Sequence, residues 1–414
     1  MTNTATLDID SIAVGGDGVA RRDGLVVFVP RTAPGDRVVA RLEQGRRFAR
    51  GRVESIVAGS PDRVEPRCAH YDGAQCGGCQ LQHLGPEAQR DAKRTIIRDT
   101  MRRIGRRTVD LPVYHAAPSP WRYRHRLTLA LRRGSTNSWY GGLHSWDDPS
   151  AIFALDDCWI SDERVLALWR EVLDASDLFP DATELRGTVR LAGERGTFVL
   201  EGAQEWAAVD GFCARLRSFD SVWWTPVGVH RRRIWSAEGA TAESSAAASF
   251  TQVNPAVAAD LFALVEARVA EREPTHVIDA YSGSGDLALA LHARGIRVSA
   301  VELDEDASAV AASRLPRPSR AIAARVEDVI NGLFPADAVI VNPPRAGLDP
   351  RVTQVLDAAT SPTMLVYVSC DPATLARDIA RMPSWTIESI DAFDMFPQTA
   401  HVETVAILVR GVRQ

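Results

Sequence analysis

One cysteine stands where an α/β enzyme would place a nucleophile. Val366-Tyr367-Val368-Ser369-Cys370-Asp371-Pro372 is an apolar, β-rich run broken at once by Asp371-Pro372. The carboxyl ends of strands are where α/β sheets build their sites. A lone cysteine is more often a small buried apolar residue, but the immediate break into a loop favours an accessible thiol with chemistry to do. A thiolate can add to an electron-poor ring carbon, and expelling it later requires a base to remove a proton. Such chemistry asks for one activated cysteine and one carboxylate or equivalent base.

A second set of residues reads as a ligand cradle. Asp279-Ala280-Tyr281-Ser282-Gly283-Ser284-Gly285-Asp286 follows the strand-like Val277-Ile278-Asp279-Ala280 and opens a helix. Glycines there let the backbone pass close to a ligand. Glu302 ends the next strand-like run, 23 residues after Asp279, where an acidic side chain accepts from ribose hydroxyls. Dinucleotide and S-adenosylmethionine sites share this pairing. The loop is Gly-x-Gly-Asp, and Asp286 at the helix start would repel a pyrophosphate that needs the free N-terminus. A sulfonium cofactor without phosphate tolerates nearby carboxylates.

Six cysteines are present: Cys68, Cys76, Cys79, Cys158, Cys213 and Cys370. Cys68 and Cys76 have seven residues between them, and Cys76-Gly77-Gly78-Cys79 is a C-x-x-C on a glycine turn. Four thiolates, Cys158 being the fourth, could hold zinc or an iron–sulfur cluster. His70 adds a possible zinc ligand, and a bare C-x-x-C could be a redox pair. Cys213 has no partner signal and reads as core.

The elements that must position these groups are legible at low resolution. Residues 1–60 alternate short strands and turns, among them Leu25 to Val29, Asp36 to Leu42 and Gly51 to Val57, as in a small oligonucleotide-binding β-barrel. Residues 61–238 hold the cysteine cluster, a basic helix from about Pro86 to Ile104, and a mixed α+β region. Its Trp121-Arg122-Tyr123-Arg124-His125-Arg126-Leu127 interleaves aromatic and basic residues, suited to stacking on bases and contacting phosphates; a strand with one solvated basic face is the plainer reading. Gly239 to Ser249 is Ala/Ser-rich and reads as a linker. Residues 239–414 alternate strands and helices in a doubly wound, Rossmann-like pattern.

Length fits two or three domains. No apolar run reaches membrane-span length, and Met1-Thr2-Asn3-Thr4 does not open a signal peptide. A cytoplasmic monomer is expected. Net charge is -5 over the chain, yet residues 1–134 carry 24 Lys+Arg against 14 Asp+Glu, a balance of +10. A basic N-terminal third on an acidic protein fits a polyanionic partner.

Ser369-Cys370-Asp371-Pro372-Ala373-Thr374-Leu375-Ala376-Arg377-Asp378 resembles the nucleophile motif of the RNA 5-methyluridine methyltransferases. Asp394-Met395-Phe396-Pro397-Gln398-Thr399-Ala400-His401-Val402-Glu403 resembles their final motif. The resemblance covers nearly the whole chain and is most specific over residues 365–405. It implies that Cys370 is the nucleophile and Glu403 the proton-abstracting base, with S-adenosylmethionine as cofactor. It implies cofactor contacts from Gln252, Tyr281, Asp286, Glu302, Asp328 and Asn342, and a site entrance at Phe250 to Asn254. It assigns a [4Fe–4S] cluster to Cys68, Cys76, Cys79 and Cys158. Residues 1–60 resemble the TRAM domain. The implied substrate is a uridine in structured RNA, 23S rRNA in preference to a tRNA T-loop.

Two positions depart from the family pattern. Asn342-Pro343-Pro344-Arg345 stands where Asp is usual at the first place, and Asp286 stands where Asn is usual. Asn-Pro-Pro followed by an aromatic occurs in enzymes that methylate exocyclic amines of adenine or guanine. Position 345 is Arg, and that chemistry needs no cysteine. A non-catalytic RNA-binding module would need neither Cys370 nor Glu403.

Overall fold

The computed structural model describes residues 4–73, 76–135, 138–240 and 252–410. They form two compact units, one of Met1–Ala117, Pro343–Asp357 and Tyr367–Gln414, the other of Pro118–Asn342 and Ala358–Val366.

The first unit opens with β1 (Thr4–Asp8), β2 (Ser11–Ile12), β3 (Gly18–Arg22), β4 (Leu25–Val29), β5 (Arg37–Gln44) and β6 (Phe48–Ala58), in sheet order β1-β5-β6-β4-β3-β2. Alternation decides which side of β5 is inside: Val38, Ala40 and Leu42 join Leu7, Ile9, Ala20, Val27 and Val29 in one core. Asp36 ties the ends of this small domain together. Its buried carboxylate accepts from the amides of Ala33 and Ser60 at 2.6 and 2.8 Å and pairs with Arg63 at 2.8 Å. The basic helix follows, starting with Pro86 in its first turn, where a missing N–H costs nothing. It is α-helical over Pro86–Thr100 and continues as a wider π-turn over Met101–Gly105, closed by Arg106 in the left-handed region. β7 (Val113–His115) comes next.

The second unit begins with β8 (Arg126–Arg133), β9 (Trp139–His144), β10 (Ile152–Ala154), β11 (Glu184–Ala192), β12 (Arg195–Glu201), β13 (Phe219–Thr225) and β14 (Arg232–Ser236), in order β10-β9-β8-β11-β12-β13-β14. Neighbours are antiparallel except β12 and β13. The helices Glu163–Asp174 and Val209–Arg215 cover one face over Leu127, Leu129, Leu131, Val189, Phe198 and Leu200. Cys213 sits in that core, 3% exposed. Then come β15 (His276–Ala280), β16 (Arg297–Glu302), β17 (Arg320–Ala323) and β18 (Ala338–Val341), all parallel, in order β17-β16-β15-β18. The strands expected in this half fall where the apolar runs placed them. Most of the Gly239 to Ser249 segment lies outside the described residues, as do Phe250 and Thr251.

β19 (Met364–Ser369) has Tyr367–Ser369 in the first unit. β20 (Thr386–Phe393) and β21 (Glu403–Val409) complete that unit, in order β19-β21-β20-β7. β21 runs antiparallel to β20, and β7 runs parallel to it.

Candidate active site

The turn that carries Cys370 is built by its neighbours. The Ser369 hydroxyl donates to the Asp371 carbonyl at 3.0 Å and accepts the Asp371 amide at 3.2 Å. Asp371 caps the helix Pro372–Ala380, accepting from the amides of Ala373 and Thr374 at 2.7 and 3.2 Å, with Pro372 at its first position. The expected loop after Cys370 is therefore a helix. Strand end, cap and helix start leave the thiol half-buried at the corner.

Glu403 is the first residue of β21, and it is 3% exposed. Burial pushes its carboxyl pKa up to about 8, opposed by the Arg345 guanidinium. Burial also raises the Cys370 thiol; a charged Glu403 adds to that, and Arg345 opposes it. Thiol, carboxyl and guanidinium thus sit within electrostatic reach of one another. Arg345 favours both the Cys370 thiolate and the deprotonated Glu403 that can accept a proton. A base that titrates near neutrality is well matched to taking a proton from carbon.

Arg345 was not singled out as a site residue in the sequence, because its role depends on a buried hub. Asp378, fully buried, accepts the Tyr367 hydroxyl and the Leu348 amide at 2.8 Å each through Oδ2. Its Oδ1 accepts Arg377 Nε at 2.9 Å and Arg381 Nη1 at 3.2 Å. Arg377 in turn donates to the Ala346 carbonyl at 2.7 Å. These bonds fix the 343–348 turn that presents Arg345.

The segment before Glu403 is held as firmly. Lys93, turned inward from the basic helix, donates to Asp394 at 2.6 Å and to the Phe396 carbonyl at 3.1 Å. Gln89 and Gln398 exchange hydrogen bonds at 3.0 and 3.2 Å. The amides of Gln80 and Leu81, just past the C-x-x-C, donate to the Gln398 carbonyl at 3.2 and 3.0 Å.

The second unit holds the residues expected to contact the cofactor. Glu302 is anchored at both oxygens by backbone amides, Gly283 at 2.9 Å and Asp304 at 2.8 Å, so its carboxylate is oriented in advance. Tyr281 takes φ +64 at the end of β15, and Gly285 caps the helix Asp286–Ala293 at φ +79, where a Cβ would lie 2.9 Å from that of Ala311. Asp286 is engaged by Ser284 at 2.9 Å and Arg314 at 2.6 Å. Asn342 follows β18 and donates its amide to the Ala280 carbonyl at 3.2 Å. Asp328 lies exposed on the short helix Val326–Val329, and Gln252 is half-buried two residues before Asn254, the cap of the helix Pro255–Ala270. Asp279, not among the expected contacts, is buried, and its pKa is pushed up to about 7 by burial and then by Glu302 and Asp286. Its Oδ2 and the Ser282 hydroxyl are buried without a hydrogen-bond partner among the described residues. Unfilled polar atoms around an oriented Glu302 fit a nucleoside-bearing cofactor such as S-adenosylmethionine.

Among the described residues no disulfide joins the cysteines. Cys76 Sγ accepts the Gly78 amide at 3.4 Å, and Arg122 donates to the Cys158 carbonyl at 2.8 Å. Among the described residues no three His, Cys, Asp or Glu side chains gather as a metal-ligand group.

Residues 318–411 match the tRNA (uracil-5-)-methyltransferase family. A 23S rRNA (uracil(1939)-C(5))-methyltransferase of Thiobacillus denitrificans is 30% identical, over 98% of this chain and 99% of its own. The chain belongs to the RNA uracil-C5 methyltransferases. Another relative, an uncharacterized RNA methyltransferase of Thermosynechococcus vestitus, is 33% identical over 98% of each chain. The crystal structure of the Pyrococcus abyssi tRNA (uracil-54, C5)-methyltransferase with S-adenosyl-L-homocysteine matches with a TM-score of 0.71 at 25% identity, over 98% of this chain and 99% of that one. The expected α/β methyltransferase fold and S-adenosylmethionine dependence stand, and the exocyclic-amine and non-catalytic readings fall away for a uracil-C5 methyltransferase.

Proposed function

We propose that this methyltransferase forms 5-methyluridine in large-subunit ribosomal RNA, with Cys370 as nucleophile and Glu403 as base. The observation that carries the reading is the Cys370–Glu403–Arg345 constellation, a thiol beside a carboxyl whose pKa is shifted to about 8. Cys370 thiolate adds to carbon 6 of the uracil, and the electron pair moves to make carbon 5 nucleophilic. S-adenosylmethionine, when bound, supplies the electrophilic methyl group. Glu403 then takes the carbon 5 proton, the carbon 5–carbon 6 double bond re-forms, and the bond from carbon 6 to Cys370 breaks, returning the thiolate. The target base must leave its stack to reach the thiol. Glu302, with Gln252, Tyr281, Asp286, Asp328 and Asn342, would hold the cofactor.

The ribosomal assignment rests on the Thiobacillus denitrificans relative; the Pyrococcus abyssi enzyme keeps a tRNA T-loop uridine as the second reading. Mapping 5-methyluridine in total RNA from a deletion strain separates them. Loss of one rRNA site is expected, and loss from tRNA alone would reverse the assignment.

We further propose that Cys68, Cys76, Cys79 and Cys158 hold a [4Fe–4S] cluster that stabilises the fold and carries no electron in methylation. Three of these cysteines lie within Cys68 to Cys79, none is in a disulfide, and the N–H···S bond to Cys76 suits thiolate ligation. Anaerobically purified protein should contain about four irons per chain. Stoichiometric zinc without iron would overturn this. The small β-domain of residues 4–58 and the basic helix serve as RNA-binding arms on this reading.

A further inference from the structure

The C-x-x-C turn is tied by one side chain to the segment that leads into Glu403. Gln80 directly follows Cys79. Its main-chain amide donates to the Gln398 carbonyl at 3.2 Å, and its carbonyl accepts the Tyr71 hydroxyl at 2.9 Å. Its side-chain Nε2 donates to the Gly77 carbonyl, inside the turn, at 2.7 Å, and its Oε1 accepts the Ala400 amide at 3.2 Å. Every polar group of Gln80 is thus engaged, and the amide bridges Cys76–Cys79 to a residue three places before Glu403. The turn is fastened from its other side as well. Arg31, between β4 and β5, donates to the carbonyls of Tyr71 and Cys76, the second at 3.2 Å, and lies 4.1 Å from the Tyr71 ring centroid. Packing leaves this junction no slack: a Cβ on Gly16 would lie 2.6 Å from that of Gln80 and 3.1 Å from that of Ala400.

Glu403 needs such support because it stands at the end of a ladder. The β20–β21 pairing stops with Phe393 opposite Glu403, so the course of residues 394–402 decides how the chain enters the strand. Within that connection Gln398 takes φ +69 and is 7% exposed. A left-handed backbone is costly for a residue with a side chain and persists only where the surroundings impose it. Here they do. The amides of Gln80 and Leu81 hold the Gln398 carbonyl, and Gln89 holds both its amide and its side-chain oxygen. Downstream, the Thr399 hydroxyl accepts the His401 amide at 3.2 Å. The strained residue therefore sits between the cysteine turn and the base, and its bonds reach towards the turn.

We infer that the Cys76–Cys79 turn is a positioning element for the elimination step, acting through Gln80 and Gln398 to set the reach of the Glu403 carboxylate. Gln80 is a positioning residue, and the path from the turn to the base uses main-chain and amide groups alone. The inference rests on the reading of Glu403 as the base and gives the C-x-x-C motif a task beyond stabilising the fold. A displaced carboxylate leaves thiolate addition and methyl transfer intact and slows removal of the carbon 5 proton. The carbon 6 bond to Cys370 then breaks late, and the methylated protein–RNA intermediate builds up.

The test follows the denaturation-stable adduct that the full chain forms with S-adenosylmethionine and an ordinary-uridine transcript around the site found by deletion mapping. Wild type is compared with Gln80→Ala, Gln80→Glu and Glu403→Gln, the last setting the level reached when proton removal is blocked. Gln80→Ala should lower kcat by about ten- to a hundredfold, the scale of a misplacement near 1 Å. It should leave the KM for S-adenosylmethionine unchanged and raise the adduct above wild type. Gln80→Glu keeps an acceptor for the Ala400 amide but sets a carboxylate oxygen against the Gly77 carbonyl, so it should show the same defect. Wild-type kcat and adduct level in Gln80→Ala overturn the inference. So does a lower melting temperature with a wild-type adduct level, which marks Gln80 as structural, and so does a fall in kcat without adduct, which moves the defect to the attack step. A normal Gln80→Glu beside an impaired Gln80→Ala confines the effect to Ala400 and overturns the role of the turn. Wild-type turnover by Glu403→Gln removes Glu403 as the base, and the inference falls with it.

Discussion

The hydroxyl of Tyr367, in the strand that ends just before Cys370, donates to Asp378 Oδ2 at 2.8 Å, and the same oxygen accepts the Leu348 amide at 2.8 Å. Nucleophile strand and arginine turn are thereby fixed to one buried carboxylate. Gly347, in that turn at φ +77, has room for no side chain: a Cβ would lie 2.4 Å from Asp378 Oδ2. Gly347→Ala should lower stability by about 1–3 kcal/mol and reduce kcat more than it raises the KM for cofactor. Thermal melts and steady-state methylation check this; an unchanged kcat would show that the turn does not govern the arginine.

Lys93 is fully buried against Asp394. Removing one partner of such a pair leaves an uncompensated charge and costs about 3–5 kcal/mol. Lys93→Met should destabilise on that scale, and adding Asp394→Leu should recover much of the loss. Denaturant unfolding of both variants gives the numbers. A single variant as stable as wild type would mean that the pair does not hold the 394–402 segment.

Glu403 carries a pH signature. Its folded pKa of about 8 lies above the unfolded value near 4.3. The folded state therefore binds the extra proton between those values. The group's contribution is fully present below the unfolded pKa and is lost as pH rises through about 8, at up to about 1.4 kcal/mol per pH unit. Glu403→Gln should remove this loss and melt higher than wild type above pH 8. It should also add to the RNA and transfer the methyl but fail to eliminate, accumulating a methylated protein–RNA adduct with ordinary uridine. Wild-type turnover by this variant would require a different base.

Much of this was readable in the sequence because it is local. The strand-end Cys370, the Gly283–Gly285 loop, Glu302 and strands β4, β5, β15, β16 and β19 all follow from apolar runs and their breakers. What escaped depends on distant pairings. The inward turn of Lys93 looks like one more solvated cation until Asp394 is placed beside it. Arg345, exposed on the 343–348 turn, gives no sign of its reach to Cys370 and Glu403 until Asp378 fixes that turn. Asp371-Pro372 signalled a break, and the same two residues cap and start a helix, so the sign was right and the element was not.

The covalent role of Cys370 is tested most directly by incubating the protein and S-adenosylmethionine with RNA carrying 5-fluorouridine at the target position. Fluorine cannot leave carbon 5 as a proton does, so the intermediate should be trapped, giving a denaturation-stable complex whose mass is that of protein plus RNA plus one methyl group. Wild type should form it and Cys370→Ala should not. An equally abundant adduct from Cys370→Ala would contradict the account at its centre.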